Sequence, residues 1–308
     1  MKHPFSNQLK FAISRWAGCL AVAATVLSAA ASEPLAQPPG ELSARLQEAP
    51  GETQPAPVVG WSETLTKPRP LRLHFVRIDL RDPRIEPCVI LADDPDGAGP
   101  AEAKLTRPPE LGNRTPGLLA AVNANAFAHL ATATPAERQR GWFAGKAVDI
   151  QGLAAADGVT RSEPQPGRVS FWFDAAKQPH LGPPTAGEQV NAGVADWGDL
   201  LLTGGKIVAK PAPVLHPRTL AGFDPARRWL LLVVVDGRRP KTSEGMSLPE
   251  AAALMQQHAC SEAINLDGGG SSILLQKKAG KPGLAIINHP SDGSPRPIPV
   301  MLGVRVRK

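Results

Sequence analysis

The sequence predicts an α+β fold, a mixed or largely antiparallel sheet with few flanking helices, in a single domain. Three observations carry that expectation. Apolar stretches are short and bounded by turn residues, one stretch repeats with a helical period behind a capping signal, and 33 prolines and 29 glycines punctuate a chain of 308 residues. A hydrophobic fraction of 42% still supplies a sizeable core.

Residues 1–31 carry Lys2, Lys10 and Arg15, no acid, and an apolar run over 17–31 that ends in small residues. This resembles a secretory signal peptide, and the run falls short of the roughly 20 residues that cross a bilayer, so no stable membrane span is expected after cleavage. The expected location is periplasmic or secreted. Cys19 falls inside the segment, which leaves Cys88 and Cys260, and an oxidising compartment would permit them to pair. Without the segment's three bases the net charge drops from +6 to +3, and no run of five or six Lys/Arg remains. Nucleic acid is therefore not an expected partner.

Residues 32–70 read as a Pro-rich linker (Pro34, Pro38, Pro39, Pro50, Pro55, Pro57, Pro68, Pro70), and the folded domain is expected over 71–308. Leu71, Leu73 and Phe75 alternate with Arg72 and His74, the pattern of a half-buried strand. Residues 84–91 form a second strand candidate, closed by the acidic, Gly/Pro-rich loop 93–100. The apolar run from 117 ends in Asn123 and Asn125 near Phe127, a place for polar site residues or for a turn. Residues 131–166, rich in Ala, Gly and Pro, give no clear element. Strands are expected at 168–173 and 199–203.

Segments 219–223 and 229–235 flank Asp224-Pro225-Ala226-Arg227 and read as a hairpin. Its second arm is apolar at every position, as a central strand covered on both faces would be, and stops at Asp236-Gly237-Arg238. Ser247 and Glu250 form a capping box, with Pro249 in the first turn, and Ala251, Leu254, Met255 and His258 then share one helical face. Further strands are expected at 263–266, 272–276, 284–288 and 298–306, the first two separated by the turn Asp267-Gly268-Gly269-Gly270-Ser271.

Three consecutive glycines cost chain entropy unless a bare backbone is needed. Such a turn serves either a hairpin alone or close ligand approach, its free N–H groups forming an anion-binding nest. A nucleophile elbow is excluded because Ile273 stands where G-x-S-x-G needs glycine. A phosphate loop is excluded because no Gly-Lys-Ser/Thr follows. No Cys/His spacing suggests zinc. What remains is a pair of carboxylates, Asp236 and Asp267, each where an apolar strand gives way to glycine. Two such acids suit glycosidic cleavage or a shared hard cation. Arg218 and Arg238 are candidate phosphate or carboxylate ligands.

The set Pro217-Arg218-Thr219, VVVDGR at 233–238, Ser243-Glu244-Gly245-Met246-Ser247-Leu248, EAAALM at 250–255 and AINLDGGGSS at 263–272 resembles the phosphodiester glycosidase family. Asn288-His289-Pro290-Ser291-Asp292-Gly293 with Arg296, and Asn123 with Phe127, extend the resemblance. Where family members tend to show glycine and an aromatic pair, this chain has Asn125-Ala126-Phe127, and it has no tyrosine.

The resemblance implies an exported hydrolase that cleaves a sugar-1-phosphodiester, or a phosphorylated glycan such as an exopolysaccharide, into sugar and phosphomonoester. Asp236 and Asp267 are then expected on the sugar side, as nucleophile or base and as acid. Arg218 and Arg296 would hold the phosphate, with Gly237, Arg238, Gly268, Gly269 and Gly270 lining it. Asn123, Thr219, Ser271 and Asn288 would bond sugar hydroxyls or position the acids. No cofactor is required, although a calcium or magnesium ion near Asp267 is compatible with the residues. The competing expectation is a non-catalytic envelope protein that binds phosphorylated polysaccharide in the same cleft.

Overall fold

Strands dominate the fold, and every strand pairing among the described residues is antiparallel. The computed structural model describes residues 56–280 and 282–307. The signal-peptide segment and the linker up to residue 55 lie outside them.

In chain order the first elements are β1 (Val58–Leu65), β2 (Leu71–Asp79), β3 (Ile85–Leu91), β4 (Ala103–Lys104), α1 (Pro108–Asn113), β5 (Leu118–Asn123) and β6 (Phe127–Ala128). The short helix α2 (Pro135–Gln139) precedes β7 (Ala147–Ile150), β8 (Ala154–Ala156), β9 (Val159–Ser162), β10 (Ser170–Phe173), β11 (Pro179–Leu181) and β12 (Ala192–Ala195). Then come β13 (Asp199–Thr203), β14 (Lys206–Ile207), β15 (Arg218–Phe223), β16 (Trp229–Val235) and α3 (Leu248–Gln257). The chain closes with β17 (Glu262–Asn265), a 3-10 turn at Gly269–Ser271, β18 (Leu274–Lys277), β19 (Leu284–Ile286) and β20 (Val300–Val306).

The largest sheet has the order β1-β2-β16-β15-β17-β13-β14 and is packed with two five-stranded sheets, β11-β10-β12-β8-β9 and β19-β18-β5-β20-β3, around one apolar core. A mixed sheet, left open by the sequence, is not formed. The hairpin β15–β16 and its turn follow the sequence expectation, and Ser247 and Glu250 make the capping box that starts α3. Arg69 also reaches Glu250 and the carbonyl of Gly245, which ties α3 to the loop before it.

One expectation of the fold is corrected. The folded region begins before Leu71, because β1 runs through the stretch read as linker and pairs along its length with β2. Pro57 and Pro68 stand outside its ends, and its position at the sheet edge needs only one hydrogen-bonded neighbour. Trp61 stacks on Phe75 with ring centroids 4.8 Å apart on the face of β2 expected to be apolar, while on the other face His74 is flanked by Ser62, 2.8 Å from its Nδ1, and by Asp236. His74 is consequently buried. The pairing of the cysteines, left open by the sequence, is not made: Cys88 and Cys260 are both free and buried, and burial pushes both thiols up to about 12.

The topology brings the functional candidates to one end of the large sheet. β15 lies between β16 and β17 and runs antiparallel to both. The start of β15 therefore meets the ends of its two neighbours, and Pro217-Arg218 sits between Asp236 and Asp267. With strands about 4.8 Å apart, the two outer backbones are separated by roughly 10 Å.

Candidate active site

Gly237 and Gly268 close the distance between these three segments. A Cβ on Gly237 would stand 2.6 Å from Pro217 N, and one on Gly268 would stand 2.8 Å from Pro217 O. Both glycines therefore allow the backbone to pack closely against Pro217. Gly245 adds a third such contact, with φ of 101° and a would-be Cβ 2.5 Å from His216 O.

Asp267 is held from behind by backbone. Its N–H donates to Ala124 O at 2.8 Å, and its carbonyl accepts from Asn123 Nδ2. Asn123 Oδ1 in turn accepts from Thr219 Oγ1 at 2.8 Å and from Ile273 N at 3.0 Å. The Asn123 and Thr219 side chains are thus bonded to protein and to each other, and tie Asp267 to β5 and β15. Asn288 does the same for the following strand, accepting from Leu274 N at 2.9 Å and donating to Ser272 O at 3.0 Å.

Asp267 as a residue is half-buried. Removal from water pushes its pKa up to about 6, against the opposing effects of the Ser271 hydroxyl, the Arg296 charge, its own loop amide at Gly268 and the Arg168 charge. Ser271 Oγ is buried without a hydrogen-bond partner meeting normal geometry. Gly269, at φ of 60°, leaves room for Arg238: a Cβ there would be 2.8 Å from Arg238 Nη2. Gly270 does the same for Arg296 and Asp292, whose side-chain ends would overlap an added Cβ. The glycine turn thus accommodates two guanidinium groups beside the acid.

The arginines differ in their ties. Arg238 is exposed, adopts φ of 60°, and has no carboxylate partner among the described residues. Arg296 is held by Asp292 at 2.7 Å, a pair the sequence reading did not anticipate. Arg218 is buried and donates through Nε to Met246 O at 2.9 Å and through Nη2 to Val214 O at 3.1 Å, two carbonyls in place of an acid. Burial lowers its pKa. His216, close by, is lowered by burial and by the charges of Arg218 and Arg238. Positive charge is thereby concentrated at this end of the sheet.

Asp236 departs from expectation. Its side chain is 1% exposed, and both oxygens are engaged. Oδ1 accepts from His289 N at 2.9 Å, while Oδ2 lies 3.3 Å from His74 Nε2 and 3.3 Å from His289 Nδ1. Burial opposes its charge, but the His74 contact, the His289 amide and the two imidazoles together hold the carboxyl below its ordinary value. An enclosed, fully engaged carboxylate is not placed to attack a sugar. The exposed group here is His289. The sequence reading missed His74, His289, Asp292 and Arg168. His289 stood beside Asn288 in a motif already singled out, whereas His74 looked like the polar side of a strand.

The ends of antiparallel strands thus gather an acid and several arginines at one end of the large sheet. Residues 117–305 match the phosphodiester glycosidase family, and the chain belongs to that family. A comparison with curated proteins finds no match. Among solved structures, the catalytic domain of zebrafish N-acetylglucosamine-1-phosphodiester alpha-N-acetylglucosaminidase, auto-inhibited by its pro-peptide, superposes with a TM-score of 0.61 at 18% identity, covering 83% of this chain and 86% of that one. A hypothetical protein from Synechocystis superposes with a TM-score of 0.57 at 14% identity, covering 81% of this chain and 62% of that one. At these identities the likeness is one of fold. Among the described residues no helix is long and apolar enough to cross a membrane.

Proposed function

We propose that the protein is an exported hydrolase that cleaves the bond between a sugar's anomeric carbon and the oxygen of a phosphodiester, releasing free sugar and a phosphomonoester. One observation carries this reading: Asp267, with a pKa raised to about 6, stands beside the glycine turn into which Arg238 and Arg296 fit. Family membership supports it. The signal-like start of the sequence supports export to the periplasm or beyond.

The phosphomonoester leaves as an anion, so the greater demand is for charge stabilisation on the phosphate and a base or nucleophile at the sugar. Arg238 and Arg296 meet the first demand, since guanidinium groups bind phosphate oxygens in pairs. Arg218 is positioned behind them as a buried cation. Asp267 meets the second in its ionised form, and its raised pKa makes it a stronger base near neutrality. Asp236 acts through His289, whose ring and amide it fixes at the same end of the large sheet. A calcium or magnesium ion at Asp267 would need several oxygen ligands, and guanidinium groups occupy that side instead.

The zebrafish relative's name indicates an N-acetylglucosamine-1-phosphodiester as the first substrate to supply. The purified chain should release N-acetylglucosamine with turnover, and Arg238→Gln, which removes charge stabilisation from the departing phosphate, should lower kcat and kcat/KM while leaving the melt unchanged. Saturable binding with all ligand recovered intact, across this and other sugar-1-phosphodiesters, would instead identify a non-catalytic phosphoglycan-binding protein.

A further inference from the structure

The geometry assigns a second role to His74, Asp236 and His289: a site for one divalent transition-metal ion, best suited to zinc, at the same end of the large sheet as Asp267. The three residues come from β2, from the end of β16 and from the segment after β19, and their ligand atoms all lie within 4.8 Å of one another. His74 lies outside the 117–305 span that matches the family, so the cluster is not something the family match supplies.

Two of the three separations fit a shared ion, and the ligand atoms, which lie within 4.8 Å of one another, would draw in to close around it. Both imidazole nitrogens stand 3.3 Å from the same oxygen, Asp236 Oδ2. Charge-assisted N–H···O contacts usually close to about 2.7–2.9 Å. Bonds of about 2.0–2.1 Å to a tetrahedral ion put neighbouring ligand atoms roughly 3.3–3.4 Å apart.

The remaining atoms are arranged as metal ligands are usually supported. Ser62 Oγ lies 2.8 Å from His74 Nδ1, which leaves Nε2 as the ring nitrogen directed at the cluster. The His289 amide occupies Asp236 Oδ1 and so turns Oδ2 toward the two rings. Two imidazoles and one carboxylate form a donor set for zinc and its first-row neighbours, not for calcium or magnesium. The side chains of Asp236 and His74 are 1% and 7% exposed, whereas that of His289 is 53% exposed. An ion held there would be enclosed on the protein side and open on the His289 side, the three-ligand arrangement that leaves a position for water or a substrate oxygen. If the sugar-phosphodiester reading holds, that oxygen belongs to the phosphate; ion binding itself does not depend on the reading.

The test uses tag-free protein treated with a chelator, dialysed, and titrated with zinc chloride, with bound metal measured by elemental analysis and by calorimetry. One equivalent should bind and raise the melting temperature. His289→Ala, on an exposed side chain, should lose at least the roughly 10–100-fold in affinity that outer-shell changes cost, and Ser62→Ala should fall within that range. Asp267→Asn should still take up one equivalent, so a protein that binds zinc without hydrolysing sugar phosphodiesters would overturn the functional reading alone. No uptake by the wild type, or equal uptake by His289→Ala, would overturn the site and leave the three groups joined by protons.

Discussion

Asp267→Asn should lower kcat on a sugar-1-phosphodiester by roughly 10²–10⁴-fold, the contribution of a positioned base. The substitution keeps side-chain size, and the backbone bonds to Ala124 and Asn123 do not involve the carboxyl. A melt at least as high as that of the wild type is therefore expected. The pH dependence has a defined sign. The pKa of about 6 lies above the ordinary carboxyl value, so the folded state favours the protonated form. The stabilisation this gives is complete below the ordinary carboxyl value and is lost as pH rises through about 6. Activity runs the other way, since the ionised form is the base: kcat/KM should climb through about pH 6 in the wild type. Relative to Asp267→Asn, the wild type should lose melting temperature between about pH 4 and about pH 7. A wild-type stability difference that stays flat, or grows, across that interval would contradict the placement of this acid.

The second large effect is steric. In Gly237→Ala the new Cβ would stand 2.6 Å from Pro217 N and 2.9 Å from Pro217 Cδ, and neither atom belongs to a side chain that can swing away. Overpacking of this kind costs about 1–3 kcal/mol. For a domain of this size that is a fall in melting temperature of roughly 2–4 °C per kcal/mol. The movement would reach Asp236, one residue earlier, whose hydrogen bonds set the position of His289. Both a lower melt and a lower kcat are expected. Calorimetry with steady-state kinetics checks them together, and an unchanged melt would show that the β16 end and Pro217 are less tightly packed than the structure has them.

Local chemistry made part of this structure legible in advance. A serine and a glutamate three residues apart specify the start of α3, and an uninterrupted apolar arm after Asp224-Pro225 specifies the hairpin of β15 and β16. The glycine turn after Asp267 marks the place where two guanidinium groups fit. What escaped depends on pairing between distant segments. β1 is an edge strand inside a proline-rich stretch, defined by its register with β2 and by the stack of Trp61 on Phe75. The burial of His74 depends on that pairing, and its contact with Asp236, 162 positions away, depends on the pairing of β2 with β16. Whether Asn123 and Thr219 bond a sugar or position the acids stayed open in the sequence, because their mutual hydrogen bond spans 96 positions and no local pattern encodes it. The sequence also presents Asp236 and Asp267 as equivalent. Their surroundings make one enclosed and charged, the other raised in pKa.

The central claim is that this chain breaks the bond from sugar carbon to phosphate oxygen, and isotope placement reads it directly. Hydrolysis of an N-acetylglucosamine-1-phosphodiester in ¹⁸O-labelled water, followed by mass spectrometry of both products under conditions too brief for anomeric exchange, should place the label in the released sugar and none in the phosphomonoester. Label in the phosphomonoester would show attack at phosphorus and contradict the account.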